Sequence, residues 1–359
     1  MRTPKLLLPW DQWPAVDRSA WNAAVHPGNM LEDGGRASHW APRSQRTVLF
    51  GYRRWLGHLA LHEPDALDLD PSDRIIPDHV QGYITALRAS ITPAGTHNYV
   101  KHLHDAARIM WPDEDWTWLR EVARRLAQLV EPPNKRPRMK SSSQLLDLGI
   151  DLMSKAQAST DMRPKDRALL YRDGLIIGLF ATRAFRRRTF AAIRIGTTLI
   201  RVGQGYALTF RPQDTKNHQS LETSVPEVLV PYLDTYLKTY RLMIFGSDRH
   251  DGLWASAKGR PMTEEAIYER VCLHTRRAFG ESVNPHLFRD CLATEIAIRD
   301  PENVAIAAHM LGHIDPTITE RYYIQAETLE AGRKYQEGVM ALRERLEQSE
   351  QNKRSSKET

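Results

Sequence analysis

The sequence predicts a mainly α-helical protein with a small antiparallel β-sheet, an α+β chain in two domains. Three observations predict it. At 359 residues the chain exceeds the usual size of a single hydrophobic core. Apolar residues recur at helical spacing through most of its length. Three β-rich runs cluster in one short stretch, separated by turn-forming segments, which is enough for one small sheet and no more.

The elements follow in order. Residues 1–43 carry Trp10, Trp13, Trp21 and Trp40 among prolines, glycines and charges, and read as an irregular arm packed by its tryptophans. From residue 44 the pattern turns helical. Val48, Tyr52, Trp55 and Leu59 share one face; Val80, Tyr83 and Leu87 follow behind Asp78 as a cap; Val100, Leu103, Ala107 and Met110 follow behind Thr96. With Trp116 to Val130 these make a helical bundle over 44–130. The stretch 131–143, EPPNKRPRMKSSS, has two adjacent prolines and the basic residues Lys135, Arg136, Arg138 and Lys140, and reads as an exposed basic linker. A second domain is expected over 144–347. It opens with helices at Gln144 to Ala158 and Pro164 to Phe180, the second strongly buried. Ile193 to Val202, Tyr206 to Phe210 and Leu221 to Val225 then form a three-stranded antiparallel sheet across GQG and TKNHQ. From Glu227 the chain is helical with short breaks, and the polar tail 348–359 is expected to be disordered.

Charge and cysteine content narrow the function. Lys plus Arg number 50 against 44 acids, a net charge of +6 and a pI near 9.3, which points modestly to a polyanionic partner. Cys272 and Cys291 cannot build a disulfide framework, and no C-x-x-C spacing occurs, so a reducing cytoplasm is expected. The apolar run in MRTPKLLLPW is too short for a signal peptide, and no later run reaches membrane-spanning length. No membrane association is expected.

Charge placement is more specific than charge count. His97, Lys101, His104 and Arg108 recur at helical spacing on the side away from the apolar stripe of their helix, as a DNA-binding line or an ordinary solvated face. Between Arg183 and Arg201 stand six arginines and no acid, including RAFRRR at 183–188, directly after a hydrophobic helix. Guanidinium groups in such a run suit phosphate, because their paired donors match its oxygens. In NPHLFRD, Asn284 can cap a helix started by Pro285, placing His286 and Arg289 on one face near the positive helix end. His313 follows Gly312 at a helix end. His309 lies four residues before it, but no third ligand accompanies the pair, so no metal site is assigned.

Taken together, Arg186 in RAFRRRTFAAIRI, Lys216 in QDTKNHQ, His286 and Arg289 in HLFR, His313 in LGH and a tyrosine in TITERYYIQA resemble the tyrosine recombinase, or phage integrase, family. The resemblance covers roughly residues 144–330. It implies a catalytic domain there and a helical core-binding domain at 44–130, together a clamp on DNA. Arg186 is chosen among its neighbours because it stands the family's usual distance before Ile193-Arg194, with Arg187 second. The sequence departs from the common pattern by one extra residue after Thr182 and by Thr189 in place of a glutamate.

The resemblance implies site-specific DNA strand cleavage and rejoining through a covalent 3′-phosphotyrosine, without metal, ATP or other cofactor. Arg186, Arg289 and His313 would stabilise charge on the attacked phosphate, Lys216 would protonate the leaving 5′ oxygen, and His286 would take the tyrosine proton. Arg187 and Arg188 would join the linker cations and the helical line on DNA. Tyr323 is assigned as nucleophile from its flanks, with Tyr322 the close alternative. Tyr335, Val339, Leu342 and Leu346 then form a narrow apolar stripe, a C-terminal helix that would link a homotetramer on paired double-stranded DNA sites in the nucleoid. A type IB topoisomerase-like enzyme and a non-catalytic DNA-binding accessory protein are the competing functions.

Overall fold

The computed structural model describes residues 6–131, 134–183, 185–214 and 220–299. Lys216, His309, His313, Tyr322, Tyr323, the predicted C-terminal helix and the tail lie outside the described residues. The chain divides into two compact units, 1–133 and 134–359. The described secondary structure is mainly helical with one three-stranded antiparallel sheet.

The first unit contains α1 (Ala15–Val25), α2 (Pro42–His62), the single turn α3 (Pro71–Arg74), α4 (Pro77–Arg88), α5 (Pro93–Met110) and α6 (Thr117–Gln128). The expected stripes are its core: Tyr52, Trp55 and Leu59 of α2, Val80, Tyr83 and Leu87 of α4, and Val100, Leu103 and Ala107 of α5 are all buried together. The starts of α4 and α5 differ from expectation. Proline fixes the first-turn torsion and lacks the amide that a helix start leaves unpaired, so α4 begins at Pro77 and α5 at Pro93. Asp78 therefore lies inside the first turn of α4. For α5 the cap is Thr92, whose hydroxyl accepts from the Gly95 amide at 3.2 Å, while Thr96 is buried one turn on.

The stretch before residue 44 is more ordered than its composition suggests. Trp13 and Trp21 are buried in the same core as α2 and α4, and α1 is a regular helix. Its Asp17 forms a fully buried bidentate pair with Arg74 of α3, at 2.8 and 3.0 Å. Burial pushes the Asp17 carboxyl up, against the lowering effect of Arg74. The chain at Leu6 lies so close to α2 that a Cβ on Gly57 would meet the Leu6 carbonyl oxygen at 2.5 Å. That contact requires glycine.

The second unit is built on the antiparallel helices α7 (Ser142–Ala158) and α8 (Pro164–Thr182). Ser141 and Gln144 form a reciprocal capping box on α7. Backbone meets backbone where the two helices cross: a Cβ on Gly174 would lie 2.6 Å from the Gly149 carbonyl oxygen. α8 is buried on nearly every side, including Arg172 and Asp173. Those charges are paired: Asp173 accepts from Arg172 at 2.6 and 3.0 Å and from Arg270 at 2.6 Å, and its Oδ2 lies 2.9 Å from His274 Nε2.

After the short α9 (Arg187–Ala191) come β1 (Leu199–Val202), β2 (Gly205–Phe210) and β3 (Leu221–Ser224), in that order across the sheet, with Leu199 opposite Leu208 and Ala207 opposite Ser224. β1 starts later than the run from Ile193 predicts. Gly196 takes a positive φ of 83°, and its amide donates to the Leu199 carbonyl, so 196–198 forms a turn that parts β1 from the isolated bridges at Arg194 and Ile195. The rest comprises α10 (Val230–Thr235), which continues into a π-helical turn at Tyr236–Tyr240, then α11 (Glu264–Phe279) and α12 (Pro285–Arg299).

Candidate active site

Arg186 sits in the short link between α8 and α9, directly before the first residue of α9. Its surroundings fix its backbone. Phe185 and Phe190 on either side are buried, Phe190 stacks on Phe180 at 3.9 Å and on Trp254 at 5.0 Å, and the Trp254 indole donates to the Phe190 carbonyl. The Phe190 amide in turn donates to the Arg186 carbonyl at 2.9 Å.

The neighbouring arginines have separate occupations. Arg183 is bound to β3, its Nε donating to the Thr223 hydroxyl and the Ser224 carbonyl at 3.2 and 3.1 Å. Arg187 lies over the Tyr268 ring at 5.2 Å and 3.8 Å from the Glu264 carboxylate. Arg188 is exposed. Thr189, where the common pattern has an acid, donates from its hydroxyl to the Asp214 carbonyl at 3.3 Å and so ties α9 to the end of the segment following β2.

α12 supplies the second half of the site. The Asn284 carboxamide oxygen accepts from the amides of both His286 and Leu287 at 3.0 Å, the cap expected from NPHLFRD. His286 lies on the exposed side of the first turn, and Arg289, one turn on, is only 6% exposed. Desolvation and the charges of Lys135, Arg289 and Arg186 lower the His286 pKa, while Asp290 pulls it upward. Arg186, His286 and Arg289 thus occupy one electrostatic neighbourhood, though 100 residues separate the first two in sequence.

The segment 134–141 is held against this unit. Lys135 pairs with Asp290 at 2.8 Å, Met139 packs on the core, and the Lys140 ammonium lies 5.4 Å from the Phe279 ring centroid. Arg136 is exposed and Arg138 half-buried. Sequence reasoning missed Asp290. A carboxylate 155 residues from its lysine leaves no periodic or motif signal.

In the first unit, His97, Lys101, His104 and Arg108 line an open groove of about 490 Å³ between α5 and α6. Arg120 and Arg124 of α6 complete its basic wall and were not anticipated. The four α5 side chains are not equivalent. Asp105 holds Lys101 at 2.6 Å and Arg108 at 3.3 Å, and His97 has both ring nitrogens buried without a hydrogen-bond partner. Burial lowers the His104 pKa.

A model of the phage integrase family matches residues 152–329, the stretch that contains α8, the sheet, α11 and α12. This stretch is a phage integrase family domain. Among curated relatives, tyrosine recombinase XerD of Pseudomonas aeruginosa is 30% identical over 106 residues, 29% of this chain and 35% of the relative. XerD of Staphylococcus haemolyticus is 24% identical over 153 residues, 42% of this chain and 50% of the relative. The chain thus spans half or less of the length of these two relatives. Two solved structures of XerH site-specific recombinase bound to difH substrates, pre-cleavage and post-cleavage, share the fold. Their TM-scores are 0.55 and 0.56 at 15% and 14% identity, with 81% and 83% of this chain and 79% and 81% of theirs covered. The phage integrase match places Arg186, His286 and Arg289 within the family's own stretch, while His97 to Arg108 lie before it.

Proposed function

We propose that this protein is a site-specific DNA recombinase that cuts and rejoins DNA strands through a 3′-phosphotyrosine. The observation that carries the reading is the meeting of Arg186, His286 and Arg289 in a phage integrase family domain. Two guanidiniums beside a histidine suit the pentacoordinate phosphorus of a phosphodiester under attack, whose non-bridging oxygens gain negative charge. Burial, helped by the cations around it, favours the neutral form of His286 at pH 7, which leaves a lone pair to accept a proton.

Three further residues complete the reaction by their resemblance to the family pattern. The Tyr323 oxygen, or Tyr322 in the alternative register, attacks phosphorus and gives its proton to His286. His313 adds a donor to the phosphate. The bond from phosphorus to the 5′ oxygen breaks, and Lys216 protonates that oxygen. The energy of the ester is retained, so a second 5′ hydroxyl can reverse the step without ATP. In this reading the first unit grips DNA through the α5–α6 groove, and the linker cations Arg136, Arg138 and Lys140 with Arg187 and Arg188 add backbone contacts, while Lys135 is held by Asp290. A tetramer on paired sites would be joined through the C-terminal helix, on nucleoid DNA in the cytoplasm.

The test is capture of the covalent intermediate. The protein is incubated in EDTA with sheared genomic DNA carrying its own gene and stopped with detergent, and protein-linked DNA is sequenced. Tryptic mapping of the adduct then identifies the tyrosine. Enriched junctions and phosphate on Tyr323 are expected. Phosphate on Tyr322 moves the nucleophile by one residue, relaxation of a supercoiled plasmid in a parallel reaction without strand exchange favours topoisomerase chemistry, and no adduct from a protein that still binds DNA refutes catalysis.

A further inference from the structure

Across the described residues, the Lys135–Asp290 pair is the arrangement that the reaction above does not use. Lys135 precedes α7 in the chain, yet its ammonium reaches α12 and meets Asp290 at 2.8 Å. Asp290 is next to Arg289, and its side chain is 7% exposed against 42% for Lys135. A second carboxylate does the same one turn later: Glu295 of α12 accepts from the Ser142 amide at the start of α7. Between these two anchors Met139 packs on the core and Lys140 covers Phe279. The strap 135–142 is thereby fastened along the helix that carries His286 and Arg289.

We propose that Lys135 is a positioning residue for the phosphate site: its ion pair with Asp290 fixes the first turns of α12 and keeps the Asp290 carboxylate directed away from His286. The inference rests on reading Arg186, His286 and Arg289 as that site. Its physical basis is local. A buried carboxylate that loses a cation leans more on the remaining ones, and Arg289 and His286 are on the same helix. Asp290 would then compete with the DNA phosphate for both. Among the described residues the charged groups acting on His286 are Asp290, Lys135, Arg289 and Arg186, so removing Lys135 removes one cation and leaves Asp290 less restrained.

The consequences separate positioning from simple support. In the full-length protein, Lys135→Met should raise the His286 titration midpoint by roughly half a unit or more, read by NMR on histidine-labelled protein. Lys135→Arg should leave it in place. Inorganic vanadate, a mimic of pentacoordinate phosphorus, should bind Lys135→Met at least threefold more weakly. On the DNA recovered from the adduct, cleavage by Lys135→Met should slow about tenfold with affinity changed less than twofold, Lys135→Arg should restore it, and the acid limb of the rate profile should move to higher pH. Because Lys135 is partly exposed, these variants are expected to fold, and a native amide NMR spectrum at the assay temperature checks this. An unmoved His286 midpoint with unmoved vanadate affinity overturns the proposal. So does a loss that falls equally on DNA binding and cleavage, or one that Lys135→Arg fails to rescue. Failure of the underlying reading is distinguishable, because the unsubstituted protein would then form no adduct at all.

Discussion

Asp173 is where the second unit is most exposed to a single change. This carboxylate is fully buried between α8 and α11, and accepts from Arg172 and Arg270 with His274 alongside. Burial would raise its pKa, but the Arg172 charge, the His274 hydrogen bond and the Arg270 charge outweigh that, and the net effect is a carboxyl held below its ordinary value of 3.8. Asp173→Ala would leave Arg172, itself almost fully buried, with the Ala255 carbonyl at 2.6 Å as its remaining recorded partner. Breaking a buried pair from one side costs about 3–5 kcal/mol, since the surviving charge stays desolvated. Arg270 is more exposed and adds little to that cost. We therefore expect Asp173→Ala to lower the unfolding free energy of the second unit by about 3–5 kcal/mol in urea denaturation. Because the folded carboxyl has the lower pKa, the stabilisation is complete above the unfolded value and is lost only as pH falls through the folded one. The wild-type and variant curves should accordingly converge below pH 3.8. A loss under 1 kcal/mol at pH 7, or curves that stay parallel into acid, would refute the account.

Other perturbations test separate parts. His58, packed against Trp55 and Tyr83, is lowered from 6.5 to about 4 by burial and by His62, His79 and Arg54. The unfolded chain then binds more protons between those values, so the first unit should lose at most about 3 kcal/mol as pH falls from 6.5 to 4, and His58→Gln should flatten that slope in pH-dependent melts. Gly174→Ala should cost about 1–3 kcal/mol despite better helix propensity, because its Cβ would meet backbone at 2.6 Å; a stabilised variant in calorimetry would contradict the close crossing of α7 and α8. Lys216→Ala should slow cleavage of ordinary DNA but spare a substrate with a 5′-bridging sulfur, a leaving group that needs no proton, and equal losses would remove Lys216 from the acid role. Asp105→Asn should release Lys101 and Arg108 and tighten non-specific DNA binding at low salt, with a steeper salt dependence in fluorescence anisotropy; an unchanged slope would remove the α5 face from the DNA contact.

What could be read from the sequence was what repeats locally. The stripes of α2, α4 and α5 are periodic, and periodicity survives folding because it is the core. Asn284 was legible as a cap since the cap and the amides it binds are two and three residues apart. The errors have equally local causes. Asp78 and Thr96 are good capping residues, but Pro77 and Pro93 set the helix starts first. The arm before residue 44 showed no clean period because α1 is anchored by a charge: Asp17 finds Arg74 across 57 residues, and a buried aspartate reads as a surface residue in any hydrophobic pattern. Gly196 ended a strand that the β-branched residues on both sides favoured.

The same limit governs the site. Arg186, His286 and Arg289 are proposed from family order, yet the acids that decide what their neighbours do were not legible in it. Counting cations treats Lys135, Arg187, Lys101 and Arg108 as equal contributors to a DNA-binding field. In the folded protein each faces a carboxylate: Asp290, Glu264, and Asp105 for the last two. Asp105 neutralises only one of its two cations and leaves that cluster net positive, whereas the Lys135–Asp290 pair at 2.8 Å presents to a more distant phosphate little more than a dipole. Such a pair resists displacement by DNA unless the phosphate comes closer than the acid already is. Paired cations therefore set geometry and leave attraction to the others, and this division of labour is fixed by partners far away in the chain, which only the fold brings together.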